Sequence, residues 1–208
     1  MELVKDKYHH GDLKKEMILK GLQLLNKEGL EGLSLRKVAI RCGVSHAAPY
    51  KHFKNKEALM AAITAEVVDS FTSALGRVAC DHSGDPEGQI VALGEQYVKF
   101  MVENPDYLKF LFLSGQKAPI LIRDGEFADD REITSFTIFK NSAMEYLRSI
   151  NANAEDRAVD ILTMWSLVHG FAVLMANQSI EYSGDYQAAV SKMIREKLRF
   201  EESKSSES

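Results

Sequence analysis

The chain has 208 residues, 45% of them hydrophobic and 27% charged, with a formal net charge of −4. That composition is globular and excludes low-complexity and collagen-like molecules. Its two cysteines, Cys42 and Cys80, are too few for a disulfide framework. Residues 1–13 lack the apolar core of a signal peptide, so a cytoplasmic location is expected. Charge is unevenly spread: residues 1–60 hold 12 Lys/Arg against 7 Asp/Glu, and the remainder 14 against 23. A basic head on an acidic body suits a head that meets a polyanion.

Apolar spacing predicts an all-α chain of about nine helices, with no useful period-2 run. A first helix runs from about Asp12 to Lys27, with Ile18, Leu22 and Leu25 on one side, and stops at Glu28-Gly29-Leu30. Ser34 is a natural N-cap, and Leu35, Val38, Ala39 and Cys42 form one inward stripe. Gly43 suits the turn that follows, Ser45 the cap of another short helix, and Asn55 the cap of a long one. The long helix continues through Leu59, Ile63, Val67, Phe71 and Leu75 towards Cys80, linking head and body.

Asp81–Gly88 reads as a loop, Gln89–Glu103 as a helix, and Asn104-Pro105 as the opening of another. Ala118–Asp130 reads as a connection without regular structure. Helices are expected over Glu132–Ile150, Ala154–Ile180 and Tyr186–Phe200, then a disordered tail. The uncharged stretch Ile161–Ala176 falls short of the roughly 20 residues that span a bilayer and reads as a buried helix.

Residues Ser34–Leu59 therefore form a helix-turn-helix, the unit that offers a helix to the DNA major groove. Arg36, Lys37, Arg41, His46, Tyr50, Lys51, His52 and Lys54 are left exposed, all able to donate to phosphates or bases. Arg and Asn, the usual partners of guanine and adenine, are missing from the leading positions; His46 is the evident base reader, with methyls of Ala47 and Ala48 for thymine. Pro49 removes a backbone donor.

The block Tyr50-x-His52-Phe53-x-x-Lys56-Glu57-x-Leu59, directly after this unit, resembles the DNA-binding head of the tetracycline-repressor (TetR/AcrR-type) family of bacterial transcription regulators. Gly29, Leu35, Val38, Ala39, Gly43, Val44 and Ser45 match as well. The resemblance implies that His46, Ala47 and Pro49 face base edges and that Tyr50, His52 and Lys56 meet phosphates. Ser34 would cap and touch the backbone, while Arg36 and Ser45 complete the set. Lys5, Lys7 and Tyr8 could serve as a basic arm. Trp165-Ser166-Leu167-Val168-His169-Gly170 looks like the Trp–His–Gly signature of one C-terminal subgroup. The expected domains are 1–54 for DNA binding, 55–200 for effector binding and dimerisation, and a tail over 201–208.

In the body, Tyr97, Phe100, Met101, Tyr107, Phe110, Phe112, Phe136, Phe139, Met164, Trp165, His169 and Phe171 are either core or the lining of an apolar effector pocket. Ile161, Val168, Ala172 and Met175 form a strip expected to meet the same helix of a second subunit, giving a four-helix homodimer interface as the resemblance implies. No catalytic motif appears, and no metal site or cofactor is expected. The expected function is that of a DNA-binding transcription regulator, a repressor released from operator DNA by a small hydrophobic effector. The competing reading is an effector-independent architectural or interaction dimer.

Overall fold

The computed structural model describes residues 10–113, 120–123, 126–128 and 134–197. Lys5, Lys7, Tyr8 and the tail at 201–208 lie outside the described residues. Within them the chain folds as eight α-helices and one hairpin, the all-α class that the periodicity predicts. The helices are α1 (His10–Gly32), α2 (Leu35–Arg41), α3 (Lys56–Asp81), α4 (Pro86–Glu103), α5 (Pro105–Leu108), α6 (Ser135–Ser149), α7 (Arg157–Ala176) and α8 (Tyr186–Lys197). The expected second helix of the helix-turn-helix is a short 3₁₀ turn, Pro49–Lys51, and a π-turn over Lys109–Leu113 follows α5. Within the stretch Ala118–Asp130, expected as a poorly ordered connection, the described residues include two antiparallel strands, β1 (Leu121–Arg123) and β2 (Glu126–Ala128). At three residues each, they are too short to show a period.

The described residues fall into two compact units, divided between Val67 and Val68, with Lys109–Leu113 returning to the first. Helix α3 is thus one continuous element whose start belongs to the first unit and whose end belongs to the second. In the first unit, Met17, Leu22 and Leu24 of α1, Val38 and Ala39 of α2, and Leu59, Ile63 and Val67 of α3 are buried together. Each fully buried branched side chain contributes about 1.5–3 kcal/mol. Helix α1 is bent at Gly29, where φ is +72°.

In the second unit α4 is the central helix, packed against α6, α7 and α8. It is held at its start by Asp85, whose Oδ1 accepts the Gly88 N–H at 3.0 Å, and by Pro86 in its first turn. Gly94 lets two neighbours in at once: a Cβ there would run into Ile194 of α8 and come within 3.2 Å of Val168 of α7.

Helix α7 has 20 residues, so length does not separate it from a bilayer-spanning segment, contrary to the expectation from Ile161–Ala176 alone. By length and composition both α3 and α7 are apolar enough to cross a membrane. Nor is α7 wholly buried: Ile161, Met164, Val168 and Ala172 face α4, while Val159, Thr163, Ser166, Gly170 and Leu174 are exposed.

Candidate nucleic-acid interface

Ser34, extended at φ −150°, accepts the Lys37 N–H on its Oγ at 3.2 Å and so starts α2. The inward stripe Leu35, Val38, Ala39 and Cys42 is buried as its spacing predicts. The helix ends with Val44 N–H bonded to Ala39 O at 3.0 Å and Gly43 N–H to Ile40 O at 3.1 Å. This paired closure needs a left-handed residue, and Gly43 takes it at φ +65° without the cost a side chain would incur.

The chain beyond Gly43 does not resume an α-helix. Overlapping turns carry it: Ala48 N–H to Ser45 O, Lys51 N–H to Ala48 O and His52 N–H to Pro49 O, at 2.9–3.1 Å. Pro49 has no N–H to return to Ser45, so the α-helical ladder cannot start before it. Two expectations are corrected here. Ser45 does not cap this element, whose N-cap position is held by Ala48 with no side-chain bond. Pro49 is buried, so its ring cannot face base edges. His46 and Ala47 are exposed in the turn that precedes it, as are Tyr50, at 62%, and Lys51 after it and Arg36 on α2. His52 is half-buried, and Phe53 is core.

The basic surface is partly neutralised from within. Glu28 of α1 binds Lys37 Nζ at 2.7 Å and Arg41 at 3.4 Å. The Lys37 hydrogen bond holds the Glu28 carboxyl below its ordinary range. Glu28 lies outside the set expected from sequence, because only the bend at Gly29 brings it back to α2. Lys56 Nζ donates to Leu30 O, tying the end of α1 to the start of α3. Asn55 caps that start as expected, its Oδ1 accepting the Ala58 N–H at 2.9 Å. An ammonium has three donors, so Lys56 retains capacity for a phosphate at this helix N-terminus.

In the second unit the candidate effector residues Tyr97, Phe100, Met101, Tyr107, Phe139 and Met164 are buried, and Trp165 and His169 half-buried. Phe110 is buried as well, within the first unit. The rings pack on one another, Phe71 to Phe100 at 5.0 Å, Phe71 to Tyr97 at 5.4 Å and Phe136 to Trp165 at 5.2 Å. A hydrogen bond of 2.8 Å joins Tyr97 Oη and His169 Nδ1. Burial raises the Tyr97 phenol well above its usual range against a hydrogen bond from Trp165, and burial lowers the His169 imidazole. Both are therefore neutral near pH 7.

Two open grooves among the described residues are lined mainly by polar side chains. One, of about 580 Å³, is lined by Asp69, Ser73, Arg77, Lys99 and Glu103, with Phe100 at its side. The dimer strip is also corrected: Ile161 and Ala172 have no exposed surface and Val168 is buried, all on the side of α7 that meets α4. Met175 is half-buried.

A helix-turn-helix head joined to a helical body is the architecture of a DNA-binding regulator. The profile of bacterial regulatory proteins of the tetR family matches residues 18–63, and that of the tetracyclin repressor-like C-terminal domain matches residues 90–196. The chain belongs to the TetR family of transcription regulators, which are DNA-binding proteins and not enzymes. It is 29% identical to the tetracycline repressor protein class C of Escherichia coli, over 85% of each chain. It is 23% identical to YobS, an uncharacterised HTH-type transcriptional regulator of Bacillus subtilis, covering 83% of this chain and 84% of that one. Among solved structures, a protein of unknown function from Rhodococcus sp. RHA1 superposes with a TM-score of 0.66 at 25% identity, covering 93% of this chain and 97% of that one. A TetR-family regulator from Haemophilus influenzae shares the fold with a TM-score of 0.63 at 18% identity, over 89% and 96% of the two chains.

Proposed function

We propose that this regulator is a cytoplasmic repressor that binds operator DNA as a homodimer and releases it when a small hydrophobic effector enters the body. The observation that carries the DNA-binding half is the exposed run His46, Ala47, Tyr50 and Lys51, held just beyond the capped α2 and its Gly43 turn. In this reading residues 1–54 bind DNA, 55–200 bind the effector and dimerise, and 201–208 are a tail. Ser34, Arg36, Ser45, His46, Ala47, Tyr50, His52 and Lys56 meet the duplex; buried Pro49 stiffens the turn instead.

The body's aromatic cluster around the Tyr97–His169 pair supports an effector site, since apolar surroundings with a few polar anchors are the usual form of one. Trp165, His169 and Gly170 would place the body in the Trp–His–Gly subgroup. The subunit contact is assigned to the exposed stripe Val159, Thr163, Ser166, Gly170 and Leu174, where small Ser166 and Gly170 permit close approach. Two heads about 34–36 Å apart would then reach successive major grooves.

The dense ring packing favours a second reading, a dimer that binds DNA without an effector. Gel-shift titrations with a series of hydrophobic compounds separate the two. Release of a bound duplex by at least one class of compound supports the effector-responsive repressor. Retention by every compound supports the second reading.

A further inference from the structure

Arg36, Lys37 and Arg41 all stand exposed on α2, yet they are not equally free to bind. Glu28 of α1 holds two of them, its Oε2 lying 2.7 Å from Lys37 Nζ and its Oε1 3.4 Å from Arg41 Nη2. Arg36 makes no ion pair among the described residues. Lys37 and Arg41 are four residues apart and so neighbours on one helix face. One carboxylate oxygen serves each cation, an arrangement in which two oxygens of a phosphate could be held. The backbone is shaped to permit this. Gly29 turns the end of α1 at φ +72°, and Glu28 then lies so close to Gly32 that a Cβ there would run into its side chain. The hydrogen bond from Lys37 keeps the Glu28 carboxyl below its ordinary range, so it is ionised near pH 7. Exposed ion pairs add little to stability, so the larger effect of this one is on what its cations can bind.

We propose that Lys37 and Arg41 form a phosphate site that Glu28 closes in the free protein, making Glu28 a specificity-determining residue of the head. The inference rests on operator binding by this head. Binding to arbitrary sequence is almost wholly a matter of phosphates, whereas a chosen site adds contacts to base edges that fix register. On arbitrary DNA the head can turn until a freed pair meets phosphates. In the register set by base contacts, the pair gains only what phosphate lies within its reach. Glu28 therefore withholds grip mainly from wrong sequences, whose number in a genome makes the ratio of affinities the quantity that matters.

The test is fluorescence anisotropy with the full chain and two duplexes of one length, one recovered by selection from randomised DNA and one scrambled. Glu28→Gln removes the charge and keeps the shape. Glu31→Gln, at an exposed carboxylate without an ion pair, controls for net charge. Glu28→Gln should bind the scrambled duplex at least ten-fold more tightly at low salt, with a steeper salt slope, and lose at least three-fold in preference for the selected one. Glu31→Gln should keep the preference within two-fold, and adding Lys37→Ala and Arg41→Ala to Glu28→Gln should remove the gain. An unchanged slope in Glu28→Gln, an equal gain on both duplexes, or a Glu31→Gln effect of the same size overturns the proposal. With Glu28 in place, Lys37→Ala and Arg41→Ala together should leave the salt slope on the scrambled duplex unchanged. A slope shallower by about two would show that the pair meets phosphates despite Glu28, and decides against closure even if Glu28→Gln fails to fold. A wild type that binds both duplexes alike contradicts operator recognition itself, and the specificity role with it.

Discussion

Tyr97 of α4 and His169 of α7, 72 residues apart in sequence, meet through a 2.8 Å hydrogen bond between Oη and Nδ1. The bond needs one hydrogen, supplied either by the phenolic O–H or by an Nδ1–H. The Trp165 ring lies 6.1 Å from that of His169. A small polar relay thus sits among aromatic rings and couples the central helix to the helix that carries the exposed stripe.

Removing the hydroxyl should be costly. Tyr97→Phe leaves His169 Nδ1 without that hydroxyl, at about 1–3 kcal/mol. Urea denaturation of the purified variant measures this, and a loss below a few tenths of a kcal/mol would contradict the relay. If the relay anchors an effector, the same variant should bind its unaltered operator and need more effector to leave it.

The imidazole also sets a pH dependence. Burial lowers the folded-state pKa of His169, so between that value and the unfolded value near 6.5 the unfolded chain holds more protons. The contribution of His169 to stability is therefore complete above about pH 6.5 and is lost as pH falls through the lowered pKa. Melting temperatures recorded from pH 7.5 to 5 should fall more steeply for the wild type than for His169→Gln. Parallel curves would exclude the effect.

Close approach at Gly94 gives a packing prediction. A valine there gains roughly 1 kcal/mol or less in helix propensity but collides with Ile194 and Val168, and overpacking costs about 1–3 kcal/mol. Gly94→Val should melt several degrees below the wild type, roughly 2–4 °C per kcal/mol for a chain of this size. An unchanged melting temperature would show that α7 and α8 have room to move apart.

Glu28 restrains the basic surface of the head. Glu28→Ala frees Lys37 and Arg41 from their ion pairs, so affinity for any duplex at low salt should rise several-fold. The salt slope should steepen by up to about two, one per added phosphate contact. Fluorescence anisotropy across a salt series measures both, and an unchanged slope would keep these two cations away from DNA.

Much of the head is legible in the sequence because its signals are local. Ser34 and Asn55 cap, Gly43 turns, and the stripe from Leu35 to Cys42 is buried, each fixed by residues within one turn. Pro49 shows the limit: its missing N–H is plain in the sequence, yet its burial depends on neighbours that the spacing does not name. On α7 the apolar content is too even to mark one face. Ile161, Val168 and Ala172 make as good a strip as any until α4 covers them, which leaves Val159 and Leu174 outside. The hairpin had a signal too, Asp124-Gly125 between two apolar runs, a preferred turn pair for joined strands. The connection between Glu28 and α2 had none, because a contact across a bend leaves no period behind.

The most direct test of operator recognition by this head is a selection from randomised duplex DNA with the purified full chain, run beside His46→Ala and Lys56→Ala. Enrichment of a two-fold symmetric site with half-sites about one helical turn apart is expected. His46→Ala should shift its base preference, and Lys56→Ala should weaken all sequences alike with a shallower salt slope. Failure of the wild type to enrich any sequence over the starting pool would contradict sequence-specific DNA binding by this head.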